Sequence, residues 1–400
     1  VKVRVDPAQG WAQILREAWR HQRDYFYDPN MHGVDWPAMW TRWSAFLPHV
    51  KNRADLNLLI AELIGELATG HQYVWGGQTE PAPESVPVGL LGADFDQHEG
   101  RYRITRIYRG QNWNPSLRAP LTEPGVDAAV GDVLLAVNGR PLGTDQNLYQ
   151  AFENTADQVT ELRVARGKAE HVIKVVPLAS ESQLRYRSWV ESRRARVAEL
   201  SGGRLAYVHM PDTGAQGMAS FDRDYYSQLN KQGLVIDVRY NRGGKVADYV
   251  VNVLRRDVLC HWMNREGWGT RTPFGTFSGP MAMVINEYAG SGGDALPWLF
   301  KNTGLGKLVG QRTWGGLVGI SGYPALMDGG GVTSASFGVM DKDGEWAVEN
   351  VGVAPDLEVV QFPKPIIEGR DPQLDAAIEV VLKGLKGERF RPTYSPPAKR

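Results

Sequence analysis

The sequence predicts a multidomain α+β protein with a helical N-terminal domain over 1–80, a β domain over 81–183 and an α/β domain over 184–400. Two observations carry this. A chain of 400 residues exceeds what one hydrophobic core ordinarily organises. The apolar pattern also changes period twice: helical up to about residue 80, short and strand-like after the Pro- and Glu-rich stretch QTEPAPESVP at 78–87, then alternating strand and helix from about residue 184.

In the first block, GWAQILREAWRHQRDYFYD and WPAMWTRWSAFL are amphipathic, and their Trp and Tyr rings are expected in the core. DLNLLIAELIGEL puts Leu56, Leu59, Ile60, Leu63, Ile64 and Leu67 on one helix face. Asp55 reads as its N-cap and Gly70 as its stop, so the helix should deliver His71 to a defined place. In the second block, GLLGADFD, RYRITRIY, GDVLLAVNGRPL and TELRVARG are β-type runs between Gly, Asn and Asp turns. In the third, RLAYVHM, GLVIDVRY, MAMVIN and GKLVG alternate with helical segments, which predicts mostly parallel strands. RPTYSPPAKR at the end reads as a disordered tail.

Lys+Arg and Asp+Glu are both 45, so the net charge is zero and no basic footprint for nucleic acid or an acidic membrane surface is present. No apolar run approaches the roughly 18 residues of a membrane span, and no N-terminal segment resembles a secretory signal. The chain begins with Val1 and not with methionine, as a processed or excised piece would, which leaves its compartment open. The single cysteine, Cys260, excludes an intrachain disulfide framework and a cysteine-built zinc site; it is expected to be a small buried hydrophobe. No metal or cofactor is expected.

Chemistry concentrates in the third block, where glycine-rich turns follow strand-like runs, the place where open α/β sheets put their ligands. In NEYAGSGGDALPWLFK, Ser291 sits between glycines where a strand gives way to a helix, as a nucleophile or as a small turn residue. The amide of Gly292 lies at the start of that helix, where free N–H groups and the dipole favour an oxyanion. In DVRYNRGGKVAD, Gly243 and Gly244 let main-chain amides face a site unobstructed, as an oxyanion hole requires, or form a plain tight turn. Asp294 reads as a first-turn acid of the helix after Ser291.

Two resemblances sharpen this. PGVDAAVGDVLLAVNGRPL and VGLLGADF, within 87–180, are similar to PDZ domains and their carboxylate-binding loop, which implies capture of a peptide end as an added strand. VHMPDTG, IDVRYNRGG, NEYAGSGGD, GKLVGQRTWGGLVGIS, VENVGVAPDLEV and GRDPQLDAAIEVVL resemble, in order and spacing, the catalytic region of the tricorn proteases, without the β-propellers that precede it in that family. The resemblance implies an α/β serine-protease core similar to that of the C-terminal processing proteases. It assigns Ser291 as nucleophile, His71 as general base, Glu349 as the acid of the network, and the amides of Gly244 and Gly292 as oxyanion donors. His209, at the end of a strand, and Asp356 are the rivals of His71 and Glu349.

Where the family has a serine before the histidine, this chain has Gly70, so Glu349 is expected to act through a water or Thr69, or to leave the base less well oriented. A serine–lysine pair of the C-terminal processing type is disfavoured because Gly316 stands where that lysine would be and Lys307 lies upstream. A non-catalytic peptide-binding scaffold is the other alternative. Trp262 falls where an archaeal member has an acid that reads basic side chains, which implies an apolar P1 preference, with Glu266 nearby. The family further implies short peptide substrates produced by larger proteases, a homo-oligomer such as a hexamer, and the cytoplasm, with the periplasm as the alternative.

Overall fold

The computed structural model describes residues 7–77, 83–266 and 269–385, so part of the 78–87 linker and the predicted RPTYSPPAKR tail lie outside the described residues. The chain divides into two compact units: Val1–Pro81 with Arg196–Arg400, and Ala82–Ala195. The helical segment and the α/β segment therefore belong to one unit.

In that unit α1 (Pro7–Tyr25), α2 (Trp36–Ser44) and α3 (Arg53–Gly65) enclose Leu15, Trp19, Trp36, Leu56, Ile60 and Leu63. Trp19 and Trp36 stack, and each indole N–H donates to the other's backbone carbonyl, at 2.9 and 3.0 Å, so both rings are buried with their polar handles satisfied. The N-cap of α3 is Asn52, which accepts the Asp55 N–H at 2.9 Å, and not Asp55 itself. The helix also stops at Gly65, earlier than its apolar face suggests. Leu67 stays fully buried in the following turn, so packing continues where helix does not. Val318, Leu326, Val332 and Ala335 complete this core from the far end of the sequence. β1 (Val74–Trp75) then pairs with a strand of that same distant segment.

The second unit is an antiparallel sheet of β2 (Ala93–His98), β3 (Arg101–Ile107), β4 (Val133–Val137), β5 (Arg140–Pro141), β6 (Thr160–Arg166) and β7 (Ala169–Val175), in the order β2-β3-β4-β6-β7 with β5 on β4. Leu134, Leu162, Val164 and Phe152 fill its core. In the loop before β2, the Gly92 N–H donates to Glu181 at 2.9 Å, so one amide of the loop that resembles a PDZ carboxylate-binding loop is occupied from within the unit. α4 (Ser182–Leu200) follows.

The α/β segment forms a parallel sheet in the order β17-β13-β12-β9-β8: β8 (Leu205–His209), β9 (Gly233–Asp237), β12 (Met281–Ile285), β13 (Gly306–Gly310) and β17 (Leu357–Glu358). Between β9 and β12 lies the hairpin of β10 (Cys260–Met263) and β11 (Gly269–Thr272). After β13 come β14 (Gly319–Ile320), β15 (Gly331–Val332), which receives β1, and β16 (Ala335–Phe337). All five residues of β8, β9 and β12 are buried, as continuous apolar strands of a two-sided parallel sheet should be. The helices are α5 (Ala215–Tyr226), α6 (Ala247–Leu254), α7 (Gly292–Asn302), α8 (Pro363–Ile367) and α9 (Pro372–Lys383).

Within this fold Arg239 is buried between Asp237 at 2.7 Å and Asp371 at 2.8 Å, a charge group satisfied internally. Cys260 is exposed on the β10–β11 hairpin, contrary to the buried position expected. A four-residue hairpin strand with alternating outward positions has no core to offer it. No helix among the described residues is long and apolar enough to cross a membrane.

Candidate active site

Ser291 occupies the turn between β12 and α7 with φ 59° and ψ −118°, a backbone conformation that an L-residue adopts only under constraint. The constraints are local. Gly290 N–H donates to Asn241 O at 3.1 Å, the Ser291 N–H to Asp294 Oδ2 at 2.7 Å, and Trp314 N–H to Ala289 O at 3.0 Å. Gly243 runs beneath the serine with φ 83°; a Cβ there would lie 2.7 Å from Ser291 Cβ and 3.0 Å from its Oγ. Only glycine fits at that approach. A Cβ on Gly292 would lie 2.8 Å from the Gly244 nitrogen, so the two proposed oxyanion amides are neighbours, one on the exposed turn after β9 and one at the first residue of α7.

His71 reaches the same unit from the other end of the chain. It does not follow a helix directly; it sits beyond the turn after α3, with φ 58°. Thr333 clamps it: the Thr333 hydroxyl donates to His71 O at 2.6 Å and accepts the Tyr73 N–H at 2.7 Å, while Thr333 N–H donates to Tyr73 O at 2.9 Å. The imidazole Nδ1 is 3.2 Å from the Tyr73 hydroxyl, and Nε2 is buried with no hydrogen-bond partner among the described residues. The Trp314 ring meets the imidazole edge-on, 5.5 Å between centroids at 88°. Burial holds the imidazole pKa below its ordinary value, opposed by the negative charges of Glu349 and Asp294.

Glu349 touches neither imidazole nitrogen. Oε1 accepts the Gly70 N–H and Oε2 the Leu317 N–H, both at 2.6 Å. Of the alternatives expected for its coupling, Thr69 makes no hydrogen bond to Glu349 among the described residues; its hydroxyl accepts Gln72 Nε2 at 3.1 Å. The acid therefore grips the peptide that leads into His71. Asp294 is more than a first-turn acid. It is fully buried, caps α7 through Ser291 N–H and takes Gly315 N–H on Oδ1 at 2.9 Å. Burial pushes its pKa up against those donors.

The rivals lie elsewhere. His209 is buried on β8 opposite Asp237, with its pKa lowered by burial. Asp356 accepts Leu308 N–H at 2.8 Å and lies 3.7 Å from Lys301. Lys307 is exposed on β13, 4.0 Å from Asp356. Gly316, at the place a serine–lysine enzyme needs its lysine, abuts Gly70. Trp262 is 68% exposed on β10 and bonds Thr272 Oγ1 across its own hairpin at 2.8 Å. Tyr73, Thr333, Trp314 and Asp294 are site neighbours that motif reading missed or undervalued. Asp294 left a signal as a first-turn helix acid, and Tyr73 left one by standing two residues from His71.

Comparison with known proteins accounts for each segment. Residues 7–65 match the Tricorn protease C1 domain, 89–180 the Tricorn protease PDZ domain and 204–359 Peptidase family S41. Tricorn protease homolog 1 of Streptomyces coelicolor is 40% identical over 100% of this chain. The crystal structure of the tricorn protease superposes on 95% of it with a TM-score of 0.88 at 32% identity. The chain is similar throughout to the tricorn proteases. It spans 37% of the Streptomyces protein and 37% of the tricorn chain, and 45% of the putative tricorn-like protease C-terminal subunit of Sulfurisphaera tokodaii, to which it is 39% identical. Its α/β segment is a family S41 peptidase core. Against the tricorn pattern, the serine that should precede the histidine is Gly70, and the structure places the Glu349 carboxylate on that residue's main chain.

Proposed function

We propose that this chain is the catalytic region of a serine peptidase that cleaves extended oligopeptides. Ser291 is the nucleophile, His71 the general base, Glu349 the acid that positions the base, and Gly244 and Gly292 the oxyanion donors. The supporting observation is the turn at Ser291: a non-glycine residue held at positive φ over Gly243, in a conformation that costs about 1–3 kcal/mol.

With Nδ1–H directed to the Tyr73 hydroxyl, Nε2 keeps its lone pair. It takes the Ser291 hydroxyl proton as Oγ attacks the scissile carbonyl, and the oxyanion is received by the two amides. The proton passes to the leaving amine as the C–N bond breaks. Water, deprotonated by the same nitrogen, then releases the second product from the acyl-enzyme. Substrates are short peptides, the products of larger proteases in the family's manner, and the working form is a homo-oligomer, for which sedimentation velocity is the check. Labelling by a fluorophosphonate, with turnover of a fluorogenic peptide, tests the reading. Both are expected in the native chain and neither in Ser291→Ala. Turnover surviving in Ser291→Ala overturns the assignment, and peptide binding with no labelling of the native chain replaces it by the non-catalytic scaffold.

A further inference from the structure

We infer that Asp294 is a positioning residue of the peptidase reaction, a strut that fixes the nucleophile turn to the loop on which the base and the acid rest. The inference rests on the assignment of Ser291 and His71 above.

A first-turn acid that accepts its own N-cap amide is a common helix device, worth little beyond the helix end. Asp294 departs from that pattern in two respects. It is fully buried, whereas a capping acid ordinarily faces water. Its second oxygen also leaves the helix altogether. Oδ2 takes Ser291 N–H at 2.7 Å, and Oδ1 takes Gly315 N–H at 2.9 Å, 21 residues away. The two N–H donors therefore come from both sides of the site and neither is a cation, and the Thr313 hydroxyl and the Gly316 N–H also favour the charged carboxylate.

The loop so held, 313–317, carries three contacts that bear on the reaction. The Trp314 ring stands edge-on to the His71 imidazole. Gly316 Cα lies against Gly70, where a Cβ would come within 3.0 Å of it. Leu317 N–H donates to Glu349 Oε2 at 2.6 Å. Asp294 therefore connects the nucleophile's peptide to the ring beside the base and to the amide that anchors the acid. Its charge also reaches His71, where it favours the protonated imidazole that forms as Ser291 attacks.

Both carboxylate oxygens face N–H donors, which dictates the test. An asparagine offers one acceptor oxygen and must turn its NH2 toward the other N–H, so Asp294→Asn keeps the volume and breaks one end of the strut. The native chain, Asp294→Asn and Ser291→Ala are compared for kcat and KM on a fluorogenic peptide, normalised to sites titrated with a fluorophosphonate, with circular dichroism beside them. Asp294→Asn is expected to lose at least about 30-fold in kcat per titrated site with KM within about threefold, and to phosphonylate more slowly by a similar factor, because a displaced nucleophile loses transition-state geometry and not ground-state binding. A role confined to helix stability would reduce the titrated fraction and leave kcat per site unchanged. A folded Asp294→Asn within twofold of native kcat per site overturns the inference; an active Ser291→Ala would instead overturn the functional reading beneath it. Should Asp294→Asn fail to fold, Thr313→Val, which removes the hydroxyl that favours the charged carboxylate and that accepts Val353 N–H at 2.9 Å, is compared with Thr313→Ser, which keeps it. Loss of kcat in the valine variant and its retention in the serine variant are expected, and equal activity in the two overturns the proposal.

Discussion

Glu349→Gln separates an acid that works through the main chain from one that touches the imidazole. Both carboxylate oxygens accept backbone N–H donors at 2.6 Å, from Gly70 and from Leu317. Glutamine has one acceptor oxygen, so either amide must face an NH2 group and go unpaired in a half-buried place. Leaving such a donor unsatisfied costs about 1–3 kcal/mol. For a domain of this size each kcal/mol lowers Tm by roughly 2–4 °C, so a drop of several degrees is expected. If half or more of that cost, about 0.5–3 kcal/mol, reappears as disorder of the peptide leading into His71, kcat falls by about 2- to 150-fold. The charge has a second effect of definite sign. Burial lowers the His71 pKa and the Glu349 charge raises it, so removing that charge lowers it further. The acid limb of kcat/KM, which lies below the ordinary histidine value in the native chain, must therefore move to lower pH in Glu349→Gln. The assay is kcat/KM of a fluorogenic peptide from pH 4 to 9, roughly the range that imidazole titration requires, with a melting curve at each end. An acid limb that stays in place or rises, together with kcat within twofold of native, would falsify this account of Glu349.

Three further outcomes follow from the same geometry. His71→Ala should lower kcat by about 10²–10⁴-fold, whereas His209→Ala, on a buried strand, should lower Tm and leave kcat within a few-fold; the reverse pattern would mean that the base has been misplaced. Gly243→Ala sets a Cβ 2.7 Å from Ser291 Cβ at a positive φ, and should cost about 1–2 kcal/mol of stability and about 10²-fold in kcat by displacing the nucleophile, so an unimpaired kcat would contradict the placement of Ser291 over Gly243. Gly70→Ser places a Cβ 3.0 Å from Gly316 Cα and 3.3 Å from Glu349 Oε1, so Tm should fall while kcat stays within about threefold, since a neutral hydrogen bond contributes only about 0.5–1.5 kcal/mol; a large gain in kcat would show that the missing serine limits the enzyme.

Those parts of the molecule that depend on short-range pattern were legible from the sequence. Leu56, Ile60 and Leu63 line one face of α3, and the apolar runs at 205–209, 233–237, 281–285 and 306–310 became adjacent parallel strands. The ends of elements were less so. Gly70 resembled a helix stop, yet α3 ended at Gly65 while Leu67 stayed buried, because burial continues the apolar pattern beyond the last helical hydrogen bond. Least legible were contacts joining distant residues. Glu349 meets Gly70 across 279 positions and Thr333 meets His71 across 262, and no local period encodes such a meeting. Asp294 was legible as a helix acid, but its second oxygen was not, since its partner Gly315 lies on a loop whose path only the tertiary structure defines. Trp262 was placed by counting along the chain, and its position on the exposed β10–β11 hairpin was not legible from that count.

Gly70 also bears on how Glu349, the proposed acid, acts without the serine of the tricorn pattern. A side-chain hydroxyl linking carboxylate to imidazole would need room beside Gly70, and Gly316 Cα closes it on one side while the Trp314 ring lies 3.6 Å from a Cβ on another. With no side chain there, the Glu349 carboxylate reaches the Gly70 amide itself. A main-chain anchor restrains one peptide and has no rotamers to lose, whereas a serine link would have to hold its own χ1 as well. The restraint is needed because His71 stands at φ 58°, a conformation that would relax without clamps on either side. Glu349 supplies the clamp before the histidine and Thr333 the clamp on its carbonyl and after it. On this geometry His71, the proposed base, is oriented by its backbone and by the Tyr73 hydroxyl, and Glu349, the proposed acid, contributes charge and position without bonding the ring.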